Sequence, residues 1–329
     1  MYTVHLKNNK KFTCDANTTI FEAAKKAGIS LEHSCLTARC RSCVVKVLDG
    51  NTQDKNDDMV LTDEEKYDKY TLSCNALPTS DLTLDIEDLG DIILHDKQIV
   101  PVKINSIEQL TKDVIKVKLR LPPTAKFKYN SGQYVNLIKG AIKRSYSIAN
   151  AYQEKTTLEF FIKKYENGAM SNYLFNEAKE NDLLRMEGPL GSFFIRNTEK
   201  ENIIFLATGT GVAPIKAILE RIKASNDYTD NKNYWLFLGA RYKDDIFWNP
   251  SDLNIPNLKY IRALSRETSP FDGVKGYVQE ALLKEDIDLT NAQVYACGSN
   301  EMIKSAKSIL TNNNLSEKDF FSDAFICTS

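Results

Sequence analysis

Cys35, Cys40 and Cys43 form a C-x4-C-x2-C run, and Cys74 follows far downstream. This is the plant-type ligand spacing for a [2Fe–2S] cluster. Four thiolates must converge on two irons. A tight loop brings three of them round one side, and the fourth, from a distant segment, closes the site. Two other readings of the same thiols are buried free cysteines and a zinc site. Zinc sites usually show paired C-x2-C knuckles, and only one such pair exists here.

Two further constellations could do chemistry. Arg144-Ser145-Tyr146-Ser147 ends a barrel-like strand, and Gly168-Ala169-Met170-Ser171 stands before an apparent helix, Asn172–Ala178. Alone, the first is an ordinary strand end. Together they offer a helix N-terminus with a small hydroxyl for a pyrophosphate and an arginine that can fork onto the same phosphates. Tyr146 could then stack on a flavin ring and Ser147 could bond its central-ring nitrogen. The second constellation is the apolar strand Ile203–Ala207 running into Gly209-Thr210-Gly211-Val212-Ala213-Pro214 and a helix. Two glycines at a strand-to-helix turn let the backbone approach a pyrophosphate closely, although the third glycine of the dinucleotide fingerprint is absent. Cys297-Gly298 ends a later strand at the same carboxyl edge, where ligands of open α/β sheets gather, so Cys297 could touch a nicotinamide or be a plain buried thiol.

The elements that must position these residues fall into three blocks. Tyr2–Leu6 and Lys11–Cys14 alternate as a hairpin, Thr18 to Gly28 reads as a capped helix, and Val44–Leu48 and Leu82–Ile86 read as strands. Residues 88–99 read as a linker. From Val100 to about Ile195 alternating strands such as Val114–Leu121 and Thr157–Lys163 predict an antiparallel barrel or sandwich. After Glu201 continuous apolar strands, Ile203–Ala207 and Tyr234–Leu238, alternate with helical stretches at Ala213–Lys223 and Val278–Leu283, the pattern of a parallel α/β sheet.

Composition agrees. The chain has 329 residues, which at about 150 per domain suits two domains, or three small ones. With 42% hydrophobic and 26% charged residues, disorder and collagen-like structure are excluded. Net charge is −1, so a globally basic nucleic-acid binder is not expected. Residues 1–96 carry 11 basic and 17 acidic side chains, net −6, and the remainder 32 and 27, net +5. Opposite signs point to separate domains and to a docking surface on one of them; a solvated acidic face is the plain alternative. No apolar run approaches the ~20 residues of a membrane span, and Met1–Phe12 has no signal-peptide core, so the expected compartment is the cytoplasm. Seven cysteines, an odd number, argue against a disulfide framework.

The cluster loop, R-x-Y-S, G-x-x-S, G-x-G-x-A-P and C-G occur in the order of the ferredoxin–NAD(P)H reductase superfamily with an N-terminal ferredoxin domain, which this chain resembles over essentially its whole length. Reductases of aromatic-ring dioxygenases, of phenol hydroxylases and of 3,6-dideoxysugar biosynthesis share the pattern. The chain is most similar to the last group through Arg144-Ser145-Tyr146-Ser147-Ile148-Ala149-Asn150, Tyr295-Ala296-Cys297-Gly298-Ser299, Phe321-Ser322-Asp323-Ala324-Phe325 and the runs at 121–126, 187–189 and 193–196. The resemblance implies a β-grasp [2Fe–2S] ferredoxin domain over 1–90, an antiparallel six-stranded β-barrel for FAD over 98–198 and a Rossmann-like parallel α/β NAD(P) domain over 201–329.

It also implies electron flow from NADH through FAD and the cluster to a pyridoxamine-phosphate (PMP)-dependent dehydrase that removes the C-3 hydroxyl of a CDP-4-keto-6-deoxyhexose. A diiron or ring-hydroxylating oxygenase is the alternative acceptor. By position, Phe325 would shield the flavin until nicotinamide displaces it, with Asp323 beside it. Cys297 would assist hydride transfer, and Arg241 would reach the adenosine ribose. Ser265 and Arg266, with Lys275 and Tyr277, match a 2′-phosphate set and leave NADPH open. A cluster-based redox sensor without turnover would need neither Arg144-x-Tyr146-Ser147 nor Cys297-Gly298. The loop departs from the ferredoxin pattern, since Ala38 and Arg41 stand where glycines are usual. They should stiffen the loop, and Arg39 and Arg41 should favour the reduced cluster and raise its potential.

Overall fold

At the amino terminus alternation produces a hairpin, Tyr2–Leu6 antiparallel to Lys11–Cys14, with Val4, Leu6, Phe12 and Cys14 buried on one face. The fold is that of a computed structural model that describes residues 1–57, 60–90, 92–153, 157–225 and 231–324. The chain divides into two compact units, Met1–Leu94 and a second from His95 onward.

In the first unit the hairpin joins a five-stranded mixed sheet. Leu82–Leu84 lies parallel to Tyr2–Leu6, and Val44–Asp49 pairs antiparallel with both Leu82–Leu84 and Tyr70–Leu72. The helix Ile20–Lys26 covers it, burying Ile20, Phe21, Ala23 and Ala24. Its start obeys the sequence: Thr19 caps the Glu22 amide while Glu22 reaches back to the Thr19 amide. Past its end Gly28 turns left-handed at φ +74°. This helix-on-mixed-sheet arrangement is the expected β-grasp. A second, unforeseen helix spans Asp63–Tyr67.

The second unit opens with six antiparallel strands in the order 142–147, 134–139, 183–190, 98–111, 114–120, 157–163. Their inward residues, Ile104, Val117, Leu137, Phe160 and Met186 among them, make one core. The expected barrel is a half-barrel. Its two edge strands form no ladder; a backbone bond from the Ala149 amide to the Glu159 carbonyl (2.8 Å) bridges them just past the end of 142–147. The remaining six strands are all parallel, in the order 274–275, 258–264, 233–240, 202–208, 292–298, 320–324, with the helices Val212–Ser225, Val278–Leu282 and Asn300–Asn312 packed on the sheet. The two central strands, 202–208 and 233–240, are nearly continuous in apolar burial, as a sheet covered on both faces requires. Half-barrel and parallel sheet share a core: Val114, Ala149, Phe161 and Phe193 pack with Phe205, Val212, Ile215 and Ile218. Among the described residues no helix is long and apolar enough to cross a membrane.

Candidate functional site

The cysteine loop, residues 35–43, is built by backbone that glycine would normally supply. Leu36, Ala38 and Arg41 have φ of 55°, 56° and 65°. Each side-chain-bearing residue in this region costs roughly 1–2 kcal/mol. The return is that amides turn inward: the N–H groups of Thr37 and Arg39 both donate to Cys35 Sγ at 3.4 Å, and the Cys35 N–H donates to Cys40 Sγ at 3.3 Å. The substitutions at 38 and 41 therefore leave the left-handed path intact.

The four thiols converge as two pairs. Cys43 Sγ lies 3.1 Å from Cys74 Sγ, and the Cys35 and Cys40 side chains are hydrogen-bonded to each other. Within each pair one sulfur is held towards thiolate. The bond from the Cys40 thiol, aided by the two inward amides, lowers Cys35, and the Cys43 thiol likewise lowers Cys74, while Cys40 and Cys43 are pushed up by the same bonds and by burial. Two sulfur pairs suit a two-iron cluster. Cys14 stays apart in the core, its thiol pushed up to about 11 by burial, with Sγ 3.3 Å from the Thr18 carbonyl oxygen.

On the half-barrel Arg144, Ser145, Tyr146 and Ser147 occupy the strand Ile142–Ser147, and the helix Ala169–Asn176 lies beside it. The Ser147 hydroxyl is buried without a hydrogen-bond partner. An orphaned buried hydroxyl is a group that a bound ring nitrogen could satisfy. Tyr146 packs its ring against the barrel core, and burial pushes its phenol well above the usual range. Arg144 is half-exposed, with Nη1 on the Lys143 carbonyl at 2.9 Å.

Gly168 precedes the helix because a Cβ there would sit 2.4 Å from Ser171 Oγ. The Ser171 hydroxyl is already committed, donating to the Gly168 carbonyl at 2.9 Å, and the Met170 side chain is buried in the core. Both can therefore offer a phosphate only their amides, and no side chain caps this helix. The Ser145 hydroxyl is likewise engaged, donating to Asn136 Oδ1 at 2.7 Å. Asn136 in turn holds Glu187, whose carboxyl the Lys143 ammonium lowers to about 2.

At the nucleotide turn the close approach is literal. A Cβ on Gly211 would meet the Cys297 carbonyl oxygen at 2.2 Å, and one on Gly298 would meet Thr208 Oγ1 at 2.1 Å. Gly209, left-handed at φ +54°, has open space in front of it. Thr210 is half-exposed, and Pro214 is buried in the first turn of Val212–Ser225, where its missing N–H costs nothing. Arg241 and Arg266, both exposed, meet through a backbone bond between neighbouring strand ends (3.0 Å), and Ser265 bonds Ala240 in the same way. Cys297 is wholly buried in the shared core, beside Asp323 on the adjacent strand. Burial and then the Asp323 charge push its thiol well above the ordinary value, so it is a neutral thiol. Phe325 and Cys327 lie outside the described residues.

A connection the sequence reading passed over joins the two halves of this unit. Lys216, on the helix that opens at the nucleotide turn, donates from Nζ to the Ala149 carbonyl (2.9 Å), Glu159 (3.3 Å) and Glu220 (2.5 Å). Glu220 also accepts from the Ala151 amide at 2.8 Å. These bonds tie the helix to the segment that directly follows Ser147.

Three family models match the chain: a 2Fe-2S iron–sulfur cluster binding domain over residues 4–79, an oxidoreductase FAD-binding domain over 101–195 and an oxidoreductase NAD-binding domain over 205–308. The CDP-6-deoxy-L-threo-D-glycero-4-hexulose-3-dehydrase reductase of Yersinia pestis is 39% identical over 316 residues, covering 96% of this chain and 95% of its own. Protein RfbI of Salmonella typhimurium strain LT2 is 36% identical over 328 residues, 98% and 96% of the two chains. In structure the chain is similar to the Amycolatopsis cytochrome P450 reductase GcoB, with a TM-score of 0.74, 22% identity and 99% of both chains covered, a likeness of fold. With the models in this order and a relative similar from end to end, the chain belongs to the ferredoxin reductase superfamily, as an iron–sulfur flavoprotein oxidoreductase whose cofactors are FAD, NAD and a [2Fe–2S] cluster.

Proposed function

We propose that this reductase takes electrons from NADH and delivers them, through FAD and its cluster, to a PMP-dependent dehydrase acting on a CDP-4-keto-6-deoxyhexose in cytoplasmic 3,6-dideoxysugar biosynthesis. The observation that carries the electron path is the pairing of four cysteines two by two, which suits a one-electron carrier. The choice of acceptor rests on the relative named for its dehydrase, 39% identical from end to end. When bound, NADH supplies a hydride, FAD accepts the electron pair and releases it singly, and the cluster carries one electron at a time.

The chain's own residues bind and align. Ser147 offers its unpartnered hydroxyl to the flavin's central ring, and Tyr146 backs the ring. Arg144 and the uncapped amides of Met170 and Ser171 hold the flavin's phosphates, with Gly168 making the turn that presents them. The turn Gly209–Gly211 and Pro214 receive the nicotinamide dinucleotide, with Thr210 at its rim. Gly298 lets that turn close on the neighbouring strand. Cys297, neutral and buried, walls the nicotinamide side without acting as a nucleophile, with Asp323 next to it. Arg241, Ser265 and Arg266 meet the adenosine ribose, and the two exposed guanidinium groups leave NADPH a usable donor.

Reconstitution tests the whole reading. Purified protein with a PMP-loaded dehydrase, a CDP-4-keto-6-deoxyhexose and NADH is expected to yield a 3-deoxy sugar. Intact NADH oxidation with artificial acceptors but no 3-deoxy product would instead make it an oxygenase reductase.

A further inference from the structure

Arg41 sits between two cluster ligands, directly after Cys40, and its backbone is left-handed at φ +65°. Its side chain leaves the loop and reaches the segment 60–67. Nη1 donates to the Val60 carbonyl at 2.6 Å and to Glu65 Oε2 at 3.1 Å, while Nη2 donates to Glu65 Oε1, a forked pair. Glu65 is itself fixed: Oε2 accepts from the Thr62 amide at 2.8 Å, and the Glu65 amide donates to Thr62 Oγ1 at 3.2 Å, the capping box of the helix Asp63–Tyr67. Leu61, in the same segment, packs with Cys43 and Leu72, and Ala38 and Cys74 pack against that cluster. The segment 60–67 therefore lies over the cysteine loop and grips it at Arg41. Neither end of the fork is free to swing, since one is set by the loop backbone and the other by the helix cap.

We propose that Arg41 and Glu65 form a clamp that holds the cysteine loop in its ligating conformation, a task that glycine at position 41 would perform by removing the strain. A glycine reaches φ +65° without cost but leaves the unfolded loop more freedom. Arginine is strained there and must be held. The fork supplies the hold, because a bidentate guanidinium–carboxylate pair fixes direction as well as distance. Arg41 and Glu65 are positioning residues, and they touch no reacting group.

The proposal rests on the four cysteines being the cluster ligands, which the visible and EPR spectra of the wild-type protein test on their own. The clamp is tested by the rate at which iron passes from the oxidised holoprotein to a ferrous or ferric chelator, with the EPR signal of the reduced cluster recorded in parallel. E65A and R41A are expected to release iron about five- to tenfold faster than wild type, the loss of one partly exposed forked pair. R41K, which keeps charge but not the fork, should fall between. R41G and the double variant R41G/E65A should release iron within about twofold of wild type, because glycine removes the strain that the pair opposes. Wild-type rates in both E65A and R41A would overturn the clamp. So would R41G as labile as R41A, since the loss would then not come from backbone strain. If E65A fails to assemble a cluster, E65Q, which keeps one acceptor oxygen, supplies the same comparison.

Discussion

Lys216→Met tests whether the barrel–nucleotide seam aligns the two halves for hydride transfer. Methionine keeps most of the lysine stem and its packing but removes the ammonium. The Lys216 side chain is 11% exposed, and its two carboxylate partners are 20% and 21% exposed. Both carboxylates keep another partner: Glu159 has Lys118 at 3.2 Å, and Glu220 has the Ala151 amide at 2.8 Å. The Ala149 carbonyl loses its lysine donor. The cost therefore falls below the 3–5 kcal/mol of breaking a fully buried pair, at about 2–3 kcal/mol. In a unit of this size that is a fall in melting temperature of about 5–10 °C.

The functional effect is separable. A shift of the helix relative to the segment after Ser147 displaces the nucleotide turn relative to the flavin site, so the stopped-flow rate of flavin reduction should drop about tenfold or more while the NADH Kd changes about twofold or less. The acid side should move too. Burial raises the Glu159 carboxyl, yet Lys216 and Lys118 bring it below the ordinary value. Its contribution is then present above the unfolded carboxylate value, near pH 4.3, and is lost as pH falls through the lower folded value. Without Lys216 the folded value rises, and acid unfolding should begin at higher pH. A melting shift under 2 °C together with a flavin-reduction rate within about twofold of wild type would refute the seam's role.

The orphaned hydroxyl makes Ser147→Ala unusual: no protein hydrogen bond is lost, so apoprotein stability should stay within about 1 kcal/mol by thermal melting while flavin reduction slows about five- to tenfold in stopped flow. Cys74→Ala should abolish the cluster's EPR signal and cytochrome c reduction but leave NADH-driven flavin bleaching, whose residues lie wholly in the second unit. Gly211→Ala places a methyl 2.2 Å from a backbone oxygen that cannot move aside, and urea denaturation should show a loss of about 2–3 kcal/mol. Arg266→Gln should lower kcat/KM for NADPH about tenfold with little change for NADH, and equal losses for both would remove it from the 2′-phosphate set.

Much of this was legible in order and spacing. The cysteine spacing anticipated the convergent thiols, and strand alternation separated the antiparallel sheet from the parallel one. Boundaries moved where tertiary contacts decide them: the helix expected at Asn172–Ala178 begins at Ala169, because Ser171 folds back onto the Gly168 carbonyl and starts the turn early. The helix Asp63–Tyr67 went unread although its signal was present, since Thr62-x-x-Glu65 is a capping box; with no buried residue it has no apolar stripe to draw attention. Lys216 could not be found from sequence at all. On its own helix it is an ordinary i,i+4 partner of Glu220, and its function depends on the distant Ala149 and Glu159 meeting it across the seam.

In the fold Arg41 is not the bare charge that its place in the sequence offers. Counted as a charge beside an anionic cluster, it should favour the reduced state. In the fold its guanidinium is matched by Glu65, whose carboxyl that pairing, aided by the Thr62 amide, holds at about 2. A matched pair presents a dipole rather than a monopole, and its field falls off faster with distance, so the expected rise in potential does not follow from Arg41. Arg39 is exposed to solvent, where its charge is screened, and acts at close range through its amide on Cys35 Sγ. Tuning of the cluster then passes to the inward amides of Thr37 and Arg39, and these point inward only while the loop stays left-handed at Leu36 and Ala38. The clamp at Arg41 thereby couples loop geometry to redox behaviour, and E65A should shift the reduced cluster's g-values along with its rate of iron release, whereas R41G, which keeps the loop path without the charge pair, should shift neither.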